Sequence, residues 1–83
     1  MTTIQYPLAT EKAIRMIEAE NTMTFEVERR ATKQEIAKEV EALYKVKVAK
    51  VRTAITPQGK KRAYVRLTAA TPALDVATQL GLL

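Results

Sequence analysis

From Thr22 to Glu28 polar and apolar residues alternate without a break. Met23, Phe25 and Val27 fall on one side, Thr24, Glu26 and Glu28 on the other, which predicts a half-buried strand. Upstream, Ile4 and Tyr6 flank Gln5, enough for a short edge strand that Pro7 ends. Between the two, Thr10 is placed to cap a helix and Glu11 to favour its positive end. Ala13, Ile14 and Ile17 follow at helical spacing beside Met16, and Asn21 marks the end of about three turns. Downstream, Thr32 and Glu35 form a capping box. Ile36, Ala37, Val40, Leu43 and Tyr44 then recur as one apolar stripe, so a second helix is expected. Its outer face alternates in sign through Glu35, Lys38 and Glu41, which supports the helix locally.

The next stretch, Lys45 to Thr68, reads as two strands and a turn. Val46 and Val48 share one parity, and Val51, Thr53 and Ile55 have the other. Either a bulge sits near Ala49–Lys50, or the strand begins at about Val48 with both faces partly covered. The bulge is preferred, because it swings Lys50 and Arg52 relative to Lys45 and Lys47. Thr56-Pro57-Gln58-Gly59 suits a turn. The return strand points Ala63, Val65 and Leu67 inward and Arg62, Tyr64 and Arg66 outward. Finally Thr71 is expected to cap, and Pro72 to open, a short helix with Leu74, Val76, Ala77 and Leu80 on its apolar side, stopped by Gly81. The order strand, helix, strand, helix, hairpin, helix predicts an α+β fold. The expectation is a small, mainly antiparallel sheet of about four strands with two helices on one face, an α/β sandwich related to the ferredoxin-like type. With 83 residues and neither repeat nor linker, one domain spanning residues 1–83 is expected.

Charge changes the picture. Residues 1–41 hold six basic and eight acidic side chains, net −2, and residues 42–83 hold eight and one, net +7. The two halves sum to the overall +5. No acid falls between Glu41 and Asp75, a gap that contains Lys45, Lys47, Lys50, Arg52, Lys60, Lys61, Arg62 and Arg66. Such a ribbon is the electrostatic footprint of a polyanion partner. A solvated lysine edge that prevents strand-to-strand aggregation has the same composition, and charge alone does not choose between them. Tyr64, between Arg62 and Arg66 on the outward register, adds a ring that could stack on a base or ribose. Tyr44 beside Lys45 has the same sequence context but closes the apolar stripe, so it reads as core.

Chemistry is thin elsewhere. The chain has no cysteine, no histidine and a single aspartate, which removes thiolate metal sites and the commonest general base. Two glycines cannot make a phosphate-cradling loop. No enzyme, metal or cofactor is therefore expected. Neither a secretion signal nor an apolar run approaching the ~20 residues of a membrane span is visible, and the cysteine-free composition suits a reducing cytoplasm.

Three blocks carry a resemblance: PLATEKA (Pro7 to Ala13), FEVERRATKQEIAKEVEALYKVKVAKVRT (Phe25 to Thr53) and KKRAYVRLT (Lys60 to Thr68). Together they resemble the ribosomal large-subunit protein family L twenty-three, the universal protein beside the peptide exit tunnel. The compact length and short turn look like its archaeal form. The resemblance implies a cytoplasmic, structural protein held on large-subunit rRNA among neighbouring ribosomal proteins. It also implies an outer surface for the signal recognition particle or other exit-site factors. Thr10-Glu11-Lys12 matches the family's Thr/Ser-Glu-Lys motif, which makes Glu11, with Lys12 and Arg15 beside it, the expected docking residues. Ala31-Thr32-Lys33 matches an Ala-x-Lys whose lysine lies near rRNA. With Lys33, the residues expected on RNA are Arg29, Arg30, Lys45, Lys47, Lys50, Arg52, Lys60, Lys61, Arg62, Tyr64 and Arg66. Arg52 departs from the family, where asparagine is common, and the turn is short where bacterial relatives carry a long hairpin extension. A free-standing α/β module that binds a protein partner, its basic face merely solvated, is the alternative.

Overall fold

The computed structural model describes residues 4–82. Seven elements follow in order: β1 (Ile4–Pro7), α1 (Glu11–Glu20), β2 (Thr22–Val27), α2 (Lys33–Tyr44), β3 (Val48–Ile55), β4 (Lys61–Leu67) and α3 (Ala73–Gln79). The strands form one antiparallel sheet in the order β1-β2-β4-β3. The α+β class and the four-stranded antiparallel sheet are thus as expected, though the element order is not the β-α-β-β-α-β of ferredoxin-like units.

Local chemistry sets the boundaries. Thr10 Oγ1 accepts the Ala13 N–H at 3.2 Å at the head of α1. The α2 capping box closes both ways, with the Thr32 N–H donating to Glu35 Oε1 at 3.0 Å and the Glu35 N–H to Thr32 Oγ1 at 3.2 Å. In the turn after β3, Gly59 adopts φ 83°, a left-handed conformation that suits glycine. The Gly59 N–H reaches the Thr56 carbonyl at 2.8 Å. The parity change in the basic ribbon is a bulge: the register of β3 on β4 shifts between Val48 and Lys50.

Helix α2 covers the apolar face of the sheet. Ile36 and Val40 are fully buried against a core that includes Phe25, Val51, Ala63, Val65 and Leu67. Tyr44 stacks on Phe25, ring centroids 5.7 Å apart at 19°, so its core assignment holds. Burial and the Glu39 charge push the Tyr44 phenol above its ordinary pKa of 10.0. Glu39 also accepts the Ile4 N–H, tying α2 to the edge strand β1.

Two expectations fail and one becomes specific, each for a local reason. First, β2 is not half-buried. Thr22, Thr24 and Glu26 are buried as deeply as the apolar residues between them. They sit opposite Arg66, Tyr64 and Arg62 on β4, hence on the face away from α2. Second, the expectation of two helices on one face left open which two: α1 does not share the face of α2, and its helical neighbour is α3. Its Lys12, Met16 and Glu20, spaced by four, border Arg52 and Tyr64 on that polar face. Helix α1 therefore roofs the β2 side of the polar face, packed on β2 and α3, and this roof is what buries the β2 polar residues. Third, Thr71 does not cap α3. The residue ahead of the helix is Pro72, which has no capping side chain. The Ala73 N–H goes instead to Asn21 Oδ1 at 2.6 Å. Asn21 Nδ2 reaches the carbonyls of Leu67, Thr68 and Thr71, each at 3.1 Å. Its own φ of 53° ends α1 in a left-handed turn. One asparagine thus closes one helix and starts another.

The apolar stripes are also narrower than their sequence pattern. Leu43, Ile55, Leu74 and Leu80 remain exposed. Leu43 lies at the margin of the stripe, and Ile55 at the far end of the edge strand β3. The seven residues of α3 bury only Ala73, Val76 and Ala77.

Candidate nucleic-acid interface

The half of the polar face that α1 leaves open belongs to β4 and β3. Antiparallel pairing sets its side chains in three rungs across β2, β4 and β3. Thr22, Arg66 and Lys50 make the first, Thr24, Tyr64 and Arg52 the second, Glu26, Arg62 and Ala54 the third. The bulge between Val48 and Lys50 brings Lys50 and Arg52 into this alignment, as the parity argument anticipated.

Two features of the ladder stand out energetically. Lys50 and Arg66 are directly opposed, and like charges at that separation destabilise a sheet unless an anion lies between them. On the second rung the Arg52 guanidinium lies 5.7 Å from the Tyr64 ring centre, within the range of a cation–π contact. A groove runs along these rungs, lined by Glu20, Thr22, Lys50, Arg52, Tyr64 and Arg66. It continues past Arg52 and Tyr64 to Lys12 and Met16. On the third rung Glu26 is buried with Oε1 unpartnered, and the Arg62 Nε is likewise buried without a partner.

The other expected RNA residues are distributed differently. Lys61 faces α2, not the ladder, and its ammonium donates to the Ala31 carbonyl at 2.7 Å. That bond ties the hairpin to the loop before α2. Together with Lys60 and Arg29, Lys61 lines a second groove at the turn end of the sheet, shared with Glu26, Glu28 and Gln5. Arg30 and Lys33 are exposed close by in sequence, in the loop and at the first residue of α2. Lys45 closes α2 in a left-handed conformation, φ 54°, and Lys47 is exposed in the link to β3. Of the expected docking residues, Glu11 and Arg15 pair with each other at 3.0 Å on the exposed side of α1. Lys12 turns toward the Tyr64 groove instead.

Sequence reasoning missed Glu20, which the fold brings to the ladder. An acid in the last turn of a helix is disfavoured by the helix dipole, and that misplacement was the available signal. Among the described residues no group of three or more acidic, His or Cys side chains could hold a metal ion. Among the described residues no helix is long and apolar enough to cross a membrane.

Comparison with known proteins gives this arrangement its context. Residues 2–74 match the family described as Ribosomal protein L23. The chain belongs to the ribosomal protein L23 family. It is 55% identical over 76 residues to the large ribosomal subunit protein uL23 of Pyrobaculum aerophilum, covering 92% of this chain and 94% of that relative. It is 53% identical over 79 residues to the large ribosomal subunit protein uL23 of Trypanosoma brucei brucei, covering 95% of this chain but 48% of that relative. The chain thus spans about half the length of the trypanosome protein and nearly all of the archaeal one. The L23 family is one of structural proteins, not enzymes, in keeping with the chemistry the sequence lacks.

Proposed function

We propose that this chain is a structural constituent of the large ribosomal subunit, holding large-subunit rRNA beside the peptide exit tunnel through the open β4–β3 ladder. The observation that carries the reading is the direct opposition of Lys50 and Arg66 on an uncovered face. That arrangement costs the free chain stability, and a phosphate lying between the two cations reverses its sign. Arg52 extends the cationic row, and the turn-end group of Arg29, Lys60 and Lys61 gives a second point of attachment. Contacts of this kind fix position on the phosphate backbone rather than read sequence. A ribosomal role carries with it neighbouring ribosomal proteins and a cytoplasmic location.

Binding of an rRNA fragment as a function of salt tests the proposal. Each neutralised phosphate contributes about 0.7–0.9 to the slope of log affinity on log salt. Replacing Lys50, Arg52 and Arg66 together by Ala is expected to lower that slope by roughly two to three. An unchanged slope would show that RNA lies elsewhere. In cells, the protein should stay with large subunits through a high-salt wash, and loss to the supernatant favours the free-standing module instead.

The docking role belongs to the same proposal. Glu11 and Arg15 are exposed on α1, neither lines the ladder groove, and both belong to the half of the chain with net charge −2. A basic patch on an exit-site factor such as the signal recognition particle would be steered there. Glu11→Ala should leave ribosome incorporation intact and weaken factor binding to ribosomes. Affinity within about twofold of wild type, a difference of under 0.5 kcal/mol, removes Glu11 from the docking site.

A further inference from the structure

One acid lines the groove beside the cationic ladder, and phosphate binding does not account for it. Glu20 is the last residue of α1, where the helix dipole disfavours a negative charge. It lines both sections of the groove with Arg52 and Tyr64. Among the described residues the ion pair within 4.0 Å is Arg15–Glu11, so Glu20 is not held by any of the cations around it. Toward a phosphate a carboxylate is purely repulsive, since it can only accept hydrogen bonds and a phosphodiester can only accept too. Toward a nucleobase the same group is useful. Exocyclic amines and ring N–H groups are donors, and guanine alone offers two in parallel, N1–H and the N2 amine, matched to the two carboxylate oxygens. The Tyr64 ring and the Arg52 guanidinium, neighbours on one rung, supply the flat surfaces on which an unstacked base rests.

We propose that the groove between α1 and the β4–β3 ladder takes the base of one unpaired nucleotide, stacked at Tyr64 and Arg52. Its donor edge, preferentially that of guanine, is read by Glu20. This inference rests on the reading of the ladder as an RNA surface, which it deepens from charge neutralisation to base selection. Lys50 and Arg66 hold the flanking phosphates, and Thr22 at the floor of the groove is small enough to let the base lie between Glu20 and Tyr64.

The test uses the 83-residue chain and fluorescein-labelled RNAs about ten nucleotides long, a length that spans one such groove. The RNAs are all uridine, or uridine with a single central guanosine, adenosine or cytidine, and affinities are read by anisotropy at two salt concentrations. The guanosine RNA is expected to bind about tenfold tighter than the all-uridine one, the effect of one good bidentate base contact. Glu20→Gln should abolish the guanosine preference, so that the guanosine RNA binds no tighter than the other three. Tyr64→Leu should weaken the guanosine RNA with no change in salt slope, because stacking releases no counterions. Equal affinities for all four RNAs with the salt dependence intact overturn the base site and leave the phosphate surface standing. A guanosine preference that survives Glu20→Gln overturns the assignment to this carboxylate. Salt-independent or absent binding of every RNA overturns the base site and the RNA surface together.

Discussion

Removing the Asn21 side chain is expected to destabilise this protein more than any other single change at a partly exposed position. Its amide donates to three backbone carbonyls and accepts one N–H, joining the end of α1 to the end of β4 and the start of α3. Two amide hydrogens shared among three carbonyls amount to about two full bonds, and the Ala73 N–H adds a third. At about 1 kcal/mol net each, the network contributes roughly 3 kcal/mol. Part of this is recovered by hydration, because Asn21 is only half-buried. The left-handed backbone, φ 53°, adds a separate cost of roughly 1 kcal/mol for most L residues but not for glycine. Asn21→Gly therefore isolates the amide, with an expected loss of about 2–3 kcal/mol, and Asn21→Ala adds the backbone cost on top. For a domain of this size each kcal/mol lowers the melting temperature by roughly 4–8 °C, so the glycine variant should melt about 10–20 °C below wild type. Thermal circular dichroism gives that number, and hydrogen exchange should show the α3 amides of Val76 and Leu80 losing protection first. If Asn21→Gly melts within about 3 °C of wild type, the amide contributes less than 1 kcal/mol and the stitching argument is wrong.

Other perturbations have equally definite outcomes. Val40→Asp puts an unpaired carboxylate at a site that is 1% exposed. A cost of about 3 kcal/mol or more is expected, and near-native melting would mean α2 does not pack as described. The Thr32 N–H, and after it the Thr32 hydroxyl, hold the Glu35 carboxyl below its ordinary pKa of 4.5. A carboxylate lowered in the folded state stabilises above its unfolded pKa, and that gain is lost as pH falls through the folded value. Glu35→Gln should erase this part of the acid-side stability curve, and parallel curves for variant and wild type refute the assignment. The Tyr44 phenol is shifted the other way, first by burial and then by Glu39, from 10.0 upward. The unfolded chain then ionises first, so Tyr44 supports the fold below its unfolded pKa and loses that support as pH rises through the folded value. Tyr44→Phe should flatten the alkaline limb of the melting curve, and a limb that stays as steep would assign it elsewhere. Lys50→Glu replaces like charges opposite Arg66 by unlike ones. The free chain should gain about 0.2–1 kcal/mol while RNA affinity falls, and a variant that loses stability contradicts the ladder.

What the sequence disclosed follows from how local each determinant is. The capping box at Thr32 and Glu35, the cap at Thr10 and the Gly59 turn depend on residues no more than four apart, and all form as read. The bulge at Lys50 was legible for the same reason, since opposite parity within one strand admits few solutions. The placement of α1 was not. Thr22, Thr24 and Glu26 look like solvated positions in an alternating strand, and only the tertiary arrangement of α1 reveals that a second layer covers them. Asn21 carried an ambiguous signal. An asparagine after a helical stripe announces the end of a helix, while its bonds to Leu67, Thr68, Thr71 and Ala73 span 46 to 52 positions. Lys61 shows the reverse case. Strand parity puts it on the side of Ala63 and Val65, and no local signal announced that its ammonium reaches the Ala31 carbonyl thirty residues earlier while the residue still lines the turn-end groove.

The roof and the ladder are two consequences of one asymmetry in the sheet. Between β2 and β4 the polar face changes from Thr22, Thr24 and Glu26 to Arg66, Tyr64 and Arg62, so α1, with Ala13, Met16 and Ile17 buried, finds an uncharged surface only over the two threonines. Had α1 lain across β4, it would have buried the exposed Arg66 as well, at a cost of several kcal/mol. The charge pattern on the strands thus decides where the helix stops, and the helix decides where the groove begins. The opposed cations left outside weaken a domain of 83 residues whose total stability is of the order of 4–12 kcal/mol. That deficit is tolerable if the chain spends its life bound, because a partner that recognises only the folded state stabilises it in proportion to the logarithm of its concentration over Kd.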